Sequence, residues 1–485
     1  MKLNEILLHI ATKQVIDNGV DSFSHIVFDS RKVEPGTLFV AVRGATTDGH
    51  QFIPQAIESG AVAIICEELP KVINKKVCYI QAENASIALA KASAAFYGFP
   101  SEKIKLVGVT GTNGKTTIAT TLYNLVTKAG FKAGLLSTVK NIIDGESIPA
   151  SHTTPDSLSL NRMLADMVER GCEYCFMEVS SHAIVQHRVT ALCFTGGIFT
   201  NITHDHLDYH HTFSEYIKAK KAFFDMLPKE AFALTNIDDK NGEVMLQNSN
   251  ASKHSYSLMH PADFKAQILE SDFNGMLLNI NRNEMWSHFT GRFNAYNLLA
   301  IYGTAMLLGF ESQESLSIIS SLHAVDGRFQ TFRSQNDITA IVDYAHTPDA
   351  LNNVLLTISQ IKISGARIIT VVGAGGNRDK TKRPEMARVA ALHSNKLILT
   401  SDNPRFEKPE DIISHMEKGL AIDYKTKTLK ITDRREAIRT ACMLAQPGDV
   451  ILIAGKGHET YQEIEGVKHH FDDREIVLEI LNNLS

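Results

Sequence analysis

Residues 104–117 read IKLVGVTGTNGKTT, and this stretch decides the fold around it. Its apolar first half predicts a short buried strand, and Gly111 and Gly114 allow a tight turn against a ligand. Apolar side chains at helical spacing follow Thr117, so a helix should begin at the turn. A strand, a glycine-rich turn and a helix N-terminus together form an anion cradle, which predicts that the turn binds the phosphates of a nucleotide.

Two side chains of the turn fit phosphate chemistry. Lys115 supplies a cation, and Thr116 supplies a hydroxyl suited to Mg²⁺. The strict phosphate-loop pattern has a glycine where this chain has Val109, so an ordinary turn with a chance Gly-Lys-Thr is the alternative. The flanking strand and helix favour the phosphate loop.

The composition, 44% hydrophobic and 21% charged, is that of a soluble globular protein. The 485 residues are too many for one core and indicate about three domains. A net charge of −5 argues against nucleic-acid binding. The sequence contains no run of about 18 apolar residues, so we expect no membrane span. Charged residues interrupt residues 1–20, which excludes a signal peptide. Cys172 and Cys175 form an isolated C-x-x-C, for which buried reduced thiols are favoured over a redox or zinc site. We expect a cytoplasmic protein.

The chain divides into three α/β regions. Residues 1–101 predict a small α/β domain that ends at the breaker Gly-Phe-Pro-Ser of residues 98–101. In residues 102–333 strands alternate with helices, which predicts a mostly parallel sheet. Residues 334–485 alternate again, and strands near 338–342, 368–372, 396–400 and 450–453 each end in a polar or glycine-rich loop. Because the carboxyl ends of parallel strands share one edge, these loops predict a binding face.

Two stretches of the central region leave alternatives open. Residues 201–210, NITHDHLDYH, contain a histidine cluster that a zinc site would explain, but a neighbouring phosphate loop favours Mg²⁺ and solvated loop histidines with one functional member. Residues 216–224, YIKAKKAFF, predict a helix with three lysines, and the sequence alone favours a solvated basic face.

The motifs GTNGKTT, EVSSH, DHLDYH, YIKAK, DYAHTPDAL, GGNRDKTKRP, DNPR and AGKGHE, in this order, resemble the Mur ligase family of peptidoglycan synthesis. The resemblance covers nearly the whole chain. It implies an α/β fold of three domains: an N-terminal UDP-sugar-binding domain at 1–101, a central ATP-binding domain with a mostly parallel sheet at 102–333, and a Rossmann-like amino-acid-binding domain at 334–485. It also implies a ligase in which ATP phosphorylates the carboxylate of a UDP-linked muramoyl peptide and an amino acid then attacks the acyl phosphate. In such chemistry, positioning and charge stabilisation carry catalysis.

The resemblance assigns residues to ATP and Mg²⁺. The expected ATP-binding residues are Gly111, Thr112, Asn113, Gly114, Lys115, Thr116, Thr117, Asn294, Arg328 and His346. The expected catalytic residues are Lys115, Lys220, His206 and Asp343. The expected metal ligands are Thr116, Glu178, His206 and Lys220, the last of them carbamylated so that it becomes a carboxylate-like ligand.

The resemblance also assigns the two other substrates. The UDP-sugar peptide would contact Ser30, Thr153, Thr154, Ser180, Gln186 and Arg188, and the uridine loop Ala45-Thr46-Thr47 matches in position only. An amino acid, meso-diaminopimelate, would contact Arg378, Asp402, Asn403, Pro404, Arg405, Gly455 and Glu459. Arg405 would grip the far carboxylate, which lysine lacks.

The alternatives are a lysine-adding ligase of the same family, a folylpolyglutamate synthase, and a phosphate-loop switch without ligase chemistry. The expected partners are small molecules, with no nucleic acid and no membrane, and we expect a monomer.

Overall fold

The computed structural model describes residues 1–44, 47–150 and 152–483. Within these ranges the strands form sheets of five, eleven, six and two strands, each of the three larger sheets with helices against it. The predicted α/β class is confirmed. No helix in the described part of the chain combines the length and the apolar character needed to cross a membrane.

The N-terminal unit is built on the five-stranded sheet, whose order is β1-β5-β4-β3-β2. All of its pairings are parallel except the one between β1 and β5. Its elements are α1 (Leu3–Leu7), β1 (Thr12–Ile16), β2 (His25–Val27), β3 (Thr37–Val40), α2 (Ile53–Glu58), β4 (Ala61–Cys66), β5 (Cys78–Ala82) and α3 (Ala85–Phe96).

The central unit is built on the eleven-stranded sheet. Its elements are β6 (Lys105–Thr110), α4 (Lys115–Lys128), β7 (Ala133–Leu136), β8 (Lys140–Ile143), β9 (Glu146–Pro149), α5 (Ser157–Glu169), β10 (Tyr174–Glu178), α6 (Ser181–Val185), β11 (Gly196–Phe199), α7 (Leu207–His210), α8 (Phe213–Asp225), β12 (Phe232–Asn236), α9 (Gly242–Leu246), β13 (Ser252–Ser257), β14 (Phe264–Asp272), β15 (Gly275–Ile280), β16 (Asn283–Ser287), α10 (Arg292–Leu307) and α11 (Ser312–Ser320). The order is β16-β15-β14-β13-β12-β11-β6-β10-β7-β8-β9. The middle of the sheet is parallel, as predicted, and the antiparallel pairings at its two ends were not predicted.

The C-terminal unit is built on the six-stranded sheet, whose order is β17-β18-β22-β19-β20-β21. Its elements are β17 (Gln330–Arg333), β18 (Thr339–Asp343), α12 (Pro348–Ile361), β19 (Ile368–Val372), α13 (Lys382–His393), β20 (Lys396–Leu399), α14 (Pro409–Glu417), α15 (Ile422–Lys425), β21 (Thr428–Lys430), α16 (Arg434–Leu444), β22 (Val450–Ala454), β23 (Tyr461–Ile464), β24 (Val467–His470) and α17 (Asp473–Asn483). The four predicted strands β18, β19, β20 and β22 are parallel neighbours, so their loops do meet at one edge.

The predicted boundary at residue 334 falls one strand too late for the sheets. Residues Gln330–Arg333 pair antiparallel with β18 and therefore belong to the C-terminal sheet. We propose that the C-terminal domain begins before β17, and the boundary at residue 101 stays a prediction.

Close packing brings helix α8 against the central strand β6. Gly108 lies in this strand, and a Cβ atom at its position would come within 2.6 Å of Phe223 and 2.9 Å of Phe194. The helix that carries Phe223 also carries Lys220. The missing side chain at residue 108 therefore lets this helix place Lys220 beneath the turn that follows β6.

A buried ion pair fixes two loop-bearing strands of the C-terminal unit. Arg434 and Asp473 have fully buried side chains and bond through two contacts of 2.6 and 2.8 Å. Arg434 also donates to the carbonyl of Ala454 at 3.0 Å and to that of Ser401 at 3.4 Å. These carbonyls lie where β22 and β20 end, so the pair sets the relative position of two loops at the binding edge.

Candidate active site

The turn between β6 and α4 has the shape expected of a phosphate loop. Gly111 and Gly114 have φ angles of 150° and 91°. A Cβ atom at residue 111 would lie 1.8 Å from Thr200 Oγ1, and one at residue 114 would lie 2.6 Å from Asn297 Oδ1. Side chains at these positions would therefore clash, which is the physical reason for the two glycines.

Polar residues that the sequence analysis did not single out hold this loop in place. Asn201 accepts from the backbone N–H of Asn113 through Oδ1 at 2.9 Å, and its carbonyl accepts from the N–H of Thr112 at 2.8 Å. Thr200 Oγ1 donates to the carbonyl of Asn113 at 2.6 Å. Both residues directly follow strand β11, which neighbours β6, and only the sheet order shows that they reach the loop.

Two lysines converge on one carbonyl of the loop. Lys115 Nζ donates to the carbonyls of Gly111 and Thr112, both at 2.9 Å. Lys220 Nζ donates to the same Gly111 carbonyl at 2.8 Å. Loss of hydration lowers the pKa of both lysines, and repulsion from Lys115 lowers that of Lys220 further. Lys220 is only 1% exposed, so the solvated basic face favoured by the sequence alone is wrong for this residue.

A buried carboxylate lies beside the loop hydroxyl. Glu178, at the end of β10, accepts from Thr116 Oγ1 at 2.9 Å and from the backbone N–H and hydroxyl of Thr138 at 2.8 and 3.2 Å. Arg328 Nη2 donates to Thr116 Oγ1 at 3.2 Å, while Arg328 Nη1 is buried with no hydrogen-bond partner among the residues that the structure describes. Carboxylate and hydroxyl oxygens are the ligand type that Mg²⁺ prefers, so Thr116 and Glu178 fit this ion.

The histidine cluster is only partly solvated: His204 is exposed, His206 is partly exposed and His210 is buried. The ring of His182 lies 4.9 Å from that of His206 and 5.6 Å from that of His210. His210 is buried and contacts Ser181 Oγ at 2.8 Å, so the expectation of solvated histidines is wrong for it. Across residues 1–44, 47–150 and 152–483, no group of three or more His, Cys, Asp or Glu could hold a metal ion, which leaves the zinc alternative without support.

The protonation of His206 and Asp205 follows from their surroundings. Loss of hydration lowers the pKa of His206 to about 3; Asp205 opposes this shift, and His182, Lys115 and Lys220 add to it. Its imidazole is therefore neutral at physiological pH and has a lone pair available for a metal. Burial opposes ionisation of Asp205, but the neighbouring histidines and Lys382 outweigh it and lower its pKa to about 2.

The C-terminal unit contacts the phosphate loop through helix α12. Asp349 Oδ2 accepts from Asn113 Nδ2 at 3.1 Å and from Thr203 Oγ1 at 3.3 Å. Lys382 Nζ lies 4.0 Å from Asp205 Oδ1. Together with Arg328, these residues bring the C-terminal loops to the turn between β6 and α4, and Asp349 was not among the residues expected from the sequence.

Asp343 and His346 lie at this junction. Asp343 accepts from the backbone N–H groups of Phe329 and Ala345 at 2.6 and 2.7 Å, and burial raises its pKa despite the opposing charge of Arg328. It therefore fixes the segment that carries Arg328. His346 Nδ1 contacts the carbonyl of Tyr344 at 2.8 Å, and burial lowers its pKa to about 4.

Asn294 reaches the loop through a neighbour. Its Oδ1 accepts from Asn297 Nδ2 at 3.1 Å, and Asn297 is the residue that a side chain at position 114 would meet. The side-chain amide of Asn294 donates to the carbonyl of Thr290 at 2.9 Å. Thr117 is buried in the first turn of α4.

Most of the residues expected to hold the UDP-sugar peptide lie together. Thr154 Oγ1 donates to the Glu178 carbonyl at 2.8 Å and accepts from the backbone N–H of Ser180 at 3.1 Å. Arg188 donates to the Thr154 carbonyl at 2.7 Å and to Gln186 Oε1 at 2.6 and 3.0 Å. Thr153 joins the group through Thr138, whose hydroxyl contacts it at 3.0 Å and also contacts Glu178.

The N-terminal members of this set are separate. Ser30 donates to Gln55 Oε1 at 3.4 Å, inside its own unit. In the uridine loop, Ala45 and Thr46 lie outside the described residues, and the carbonyl of Thr47 accepts from the N–H of Gly44 at 2.9 Å.

The residues expected to bind the amino acid meet at the edge formed by β19, β20 and β22. Arg405 Nη1 donates to the Gly376 carbonyl at 2.9 Å, and Arg405 Nε lies 3.2 Å from Glu463 Oε2. Close packing joins the loops, because a Cβ at Gly376 would lie 1.8 Å from the Pro404 carbonyl. Arg378 is exposed beside Gly375.

Asp402, Asn403, Gly455 and Glu459 form the deeper part of this edge. Asn403 Nδ2 donates to Glu459 Oε2 at 2.8 Å. A Cβ at Gly455 would lie 2.7 Å from Asp402 Oδ2, so glycine leaves room for that carboxylate. Burial, together with the nearby carboxylate of Asp402, raises the pKa of Glu459.

Each of the three units matches a domain of a known protein family. Residues 22–97 match the "Mur ligase family, catalytic domain", residues 109–305 the "Mur ligase middle domain", and residues 327–457 the "Mur ligase, glutamate ligase domain".

Relatives match over the full length. The UDP-N-acetylmuramoyl-L-alanyl-D-glutamate–2,6-diaminopimelate ligase of Bacteroides fragilis is 57% identical over 99% of both chains, and that of Cytophaga hutchinsonii is 54% identical over 100% of both. A solved structure of a ligase with the same name is 32% identical, with a TM-score of 0.70 over 99% of this chain and 98% of the other. A Mycobacterium tuberculosis folylpolyglutamate synthase, 16% identical over 76% of this chain and 92% of its own with a TM-score of 0.63, shares the fold. This chain belongs to the Mur ligase family.

Proposed function

We propose that this protein is an ATP-dependent ligase that adds meso-diaminopimelate to UDP-N-acetylmuramoyl-L-alanyl-D-glutamate. The observation that carries the proposal is its 54–57% identity, over 99–100% of the chain, to relatives named for this reaction. The substrates are small molecules, and the reaction requires neither a nucleic acid nor a membrane surface. A monomer in the cytoplasm is sufficient for it.

The reaction has two steps. The peptide carboxylate attacks the γ-phosphorus of ATP, so a P–O bond forms to the carboxylate and the bond to ADP breaks. The amine of the amino acid then attacks the acyl carbon, phosphate leaves, and the amine loses a proton. Negative charge builds on the phosphoryl oxygens in the first step, and fixed cations stabilise it. Lys115 and Arg328 are the cations at the phosphate loop that we assign to this task.

The oxygen ligands beside the loop support an Mg²⁺ site. Thr116 and Glu178, with the neutral imidazole of His206, would hold the ion, which would supply positive charge against the transferring phosphoryl group. Lys220 as an ammonium repels a cation. It fits the set only as a carbamate, and its lowered pKa favours the neutral amine that carbamylation requires.

Arg405 would distinguish diaminopimelate from lysine. Its guanidinium offers the planar pair of donors that a carboxylate accepts, and in the free enzyme it contacts Glu463 and the Gly376 carbonyl. Asp402 and Glu407 are close to Arg405 in the sequence, so the alternative is that Arg405 merely pairs with one of them on the surface. Glu407 instead pairs with the buried Arg383 at 2.9 Å. The lysine-adding alternative is not favoured, because the full-length relatives are named for 2,6-diaminopimelate.

Replacement of Arg405 by alanine tests this selection. We expect kcat/KM for meso-diaminopimelate to fall by at least about 30-fold, because an unpaired carboxylate in the site costs about 2–5 kcal/mol. The weak use of lysine should barely change. Arg388→Ala is the matched control, since Arg388 is an exposed arginine of the same unit that pairs with Glu385. Retained diaminopimelate activity in Arg405→Ala would remove Arg405 from this role.

Phosphate release from ATP tests the proposed reaction. Release should require the UDP-linked dipeptide and the amino acid together, because the acyl phosphate forms on one substrate and is consumed by the other. Release with ATP alone at the full rate would instead favour a phosphate-loop switch.

A further inference from the structure

Lys456 is a fully buried lysine to which no role has been given so far. Its side chain is 0% exposed, and it follows strand β22 at the binding edge. Its Nζ donates to Asn403 Oδ1 and to Glu459 Oε2, each at 3.1 Å, and to the Tyr461 carbonyl. All three ammonium hydrogens therefore have acceptors, which offsets part of the cost of burying the charge.

The acceptors of Lys456 belong to the amino-acid edge. Lys456 Nζ and Asn403 Nδ2 both donate to the same oxygen of Glu459, Oε2. Asn403 Oδ1 in turn accepts from Lys456 and from the backbone N–H of Glu463 at 2.9 Å. Lys456 thus fixes the carboxylate of Glu459 and also the Asn403 amide that donates to this carboxylate.

The charges around this group leave an excess of one negative charge. Asp402 and Glu459 contribute two carboxylates, and Lys456 contributes one ammonium. Arg434 is neutralised by Asp473 at 2.6 Å, and Arg405 by Glu463 at 3.2 Å.

Among the described residues, His458, Tyr344 and Tyr461 are neutral at physiological pH. Burial lowers the pKa of His458 to about 3, and burial raises the pKa of Tyr344 and of Tyr461. Of the two other arginines nearby, Arg474 pairs with Asp472 at 2.5 Å. Arg328 lies over the Tyr344 ring and bonds Thr116 of the phosphate loop. A site with one uncompensated negative charge is suited to one substrate ammonium group.

We propose that Lys456 is a positioning residue of the amino-acid site, which holds Glu459 aimed and ionised so that the site accepts one ammonium group of the incoming amino acid. This inference rests on the proposed function. If Lys456 were removed, no ammonium group would offset the repulsion between the carboxylates of Asp402 and Glu459. One of the two carboxylates would then take up a proton and could no longer pair with the substrate ammonium.

The role predicts a change in pH dependence. Burial raises the pKa of Glu459, Asp402 raises it further, and Lys456 lowers it. Removal of Lys456 must therefore raise this pKa. Protonated Glu459 cannot pair with an ammonium group, so KM for diaminopimelate rises as the pH falls through the pKa of Glu459. In the variant that rise begins at a higher pH.

The test is Lys456→Met, with KM for meso-diaminopimelate measured from about pH 5 to about pH 8.5. We expect KM for meso-diaminopimelate to increase by at least about tenfold at neutral pH. The rise of this KM at low pH, called the acid limb below, should begin at a higher pH than in the wild type. KM for ATP should stay within about twofold. Lys468→Met is the matched control, because Lys468 is an exposed lysine of the adjoining hairpin and lies over the ring of Tyr461 at 4.1 Å. It should leave KM and the acid limb as in the wild type.

Two further variants keep the test decisive if Lys456→Met does not fold. Lys456→Arg retains the charge and should retain the wild-type acid limb, whereas Glu459→Gln should abolish that limb. An acid limb that persists in Glu459→Gln, or a Lys456→Met variant with wild-type KM and acid limb, would overturn the role of Lys456 and leave the proposed function standing. A wild-type enzyme without diaminopimelate-dependent phosphate release would overturn both.

Discussion

Lys115→Ala is expected to lower ATP-dependent phosphate release by about 10³-fold, because loss of one preorganised donor to a developing oxyanion costs up to about that much. Lys115 is the loop cation, and its ammonium bonds the carbonyls of Gly111 and Thr112 from within the turn. Lys220 cannot replace it, since its side chain is buried and its ammonium is already bonded to the Gly111 carbonyl.

The measurement for Lys115 is steady-state phosphate release with all three substrates, together with ADP binding by calorimetry. Lys128→Ala is the matched control, because Lys128 is an exposed lysine at the other end of the same helix, where it bonds Ser321 at 2.9 Å. We expect this control to retain wild-type turnover. Turnover in Lys115→Ala within about tenfold of the wild type would contradict the phosphate-loop assignment.

Lys220→Ala has the second largest expected effect, a loss of about 10²–10³-fold in turnover. Carbamylation forms a bond from the neutral amine nitrogen to the carbon of CO₂ and releases a proton. Burial lowers the pKa of Lys220, which favours the neutral amine, and the neutral amine is lost as the pH falls through that pKa. The resulting carbamate would turn a buried cation near His206 into an anion suited to Mg²⁺.

Chemical rescue separates the carbamate from a structural role of Lys220. A short carboxylic acid should restore part of the activity of Lys220→Ala by standing in for the carbamate, whereas added bicarbonate should not. Lys218→Ala is the control, since the Lys218 side chain on the same helix is 67% exposed and pairs with Glu215. Full activity of Lys220→Ala, or a loss that no carboxylic acid repairs, would count against the carbamate.

The sequence predicts the central parallel strands well because their apolar runs are short and their ends are marked by polar turns. The strand of residues 368–372 was predicted with the bounds that the structure shows. The antiparallel hairpins at the sheet ends were missed, because mixed polar and apolar side chains on strands such as β8 and β9 give little periodic signal.

Lys220 shows how a local pattern can be misinterpreted. Three lysines in YIKAKKAFF indicated a solvated face, yet helical spacing places Lys220 on the same side as Tyr216, Ala219 and Phe223. All four are buried. A lysine on the apolar face of an amphipathic helix was the available signal for a buried amine, and the composition of the whole stretch obscured it.

Other parts of the site depend on contacts that no local pattern contains. Asn201 reaches the phosphate loop because β11 lies beside β6, and Asp349 reaches it from another unit. Glu463 faces Arg405 because the hairpin of β23 and β24 lies against the loop, with the N–H of Arg405 donating to the carbonyl of Glu463 at 3.0 Å. Such partners follow from sheet order and loop register, which are tertiary properties.

The most direct test is mass spectrometry of the product formed when the enzyme receives the UDP-linked dipeptide, ATP and equal amounts of meso-diaminopimelate and lysine. We predict a single new nucleotide-linked tripeptide whose mass increases by one diaminopimelate residue. A product that carries lysine would contradict the assignment of Arg405 and of the amino acid. Absence of any extended peptide, with ATP still hydrolysed, would contradict the ligase reaction itself.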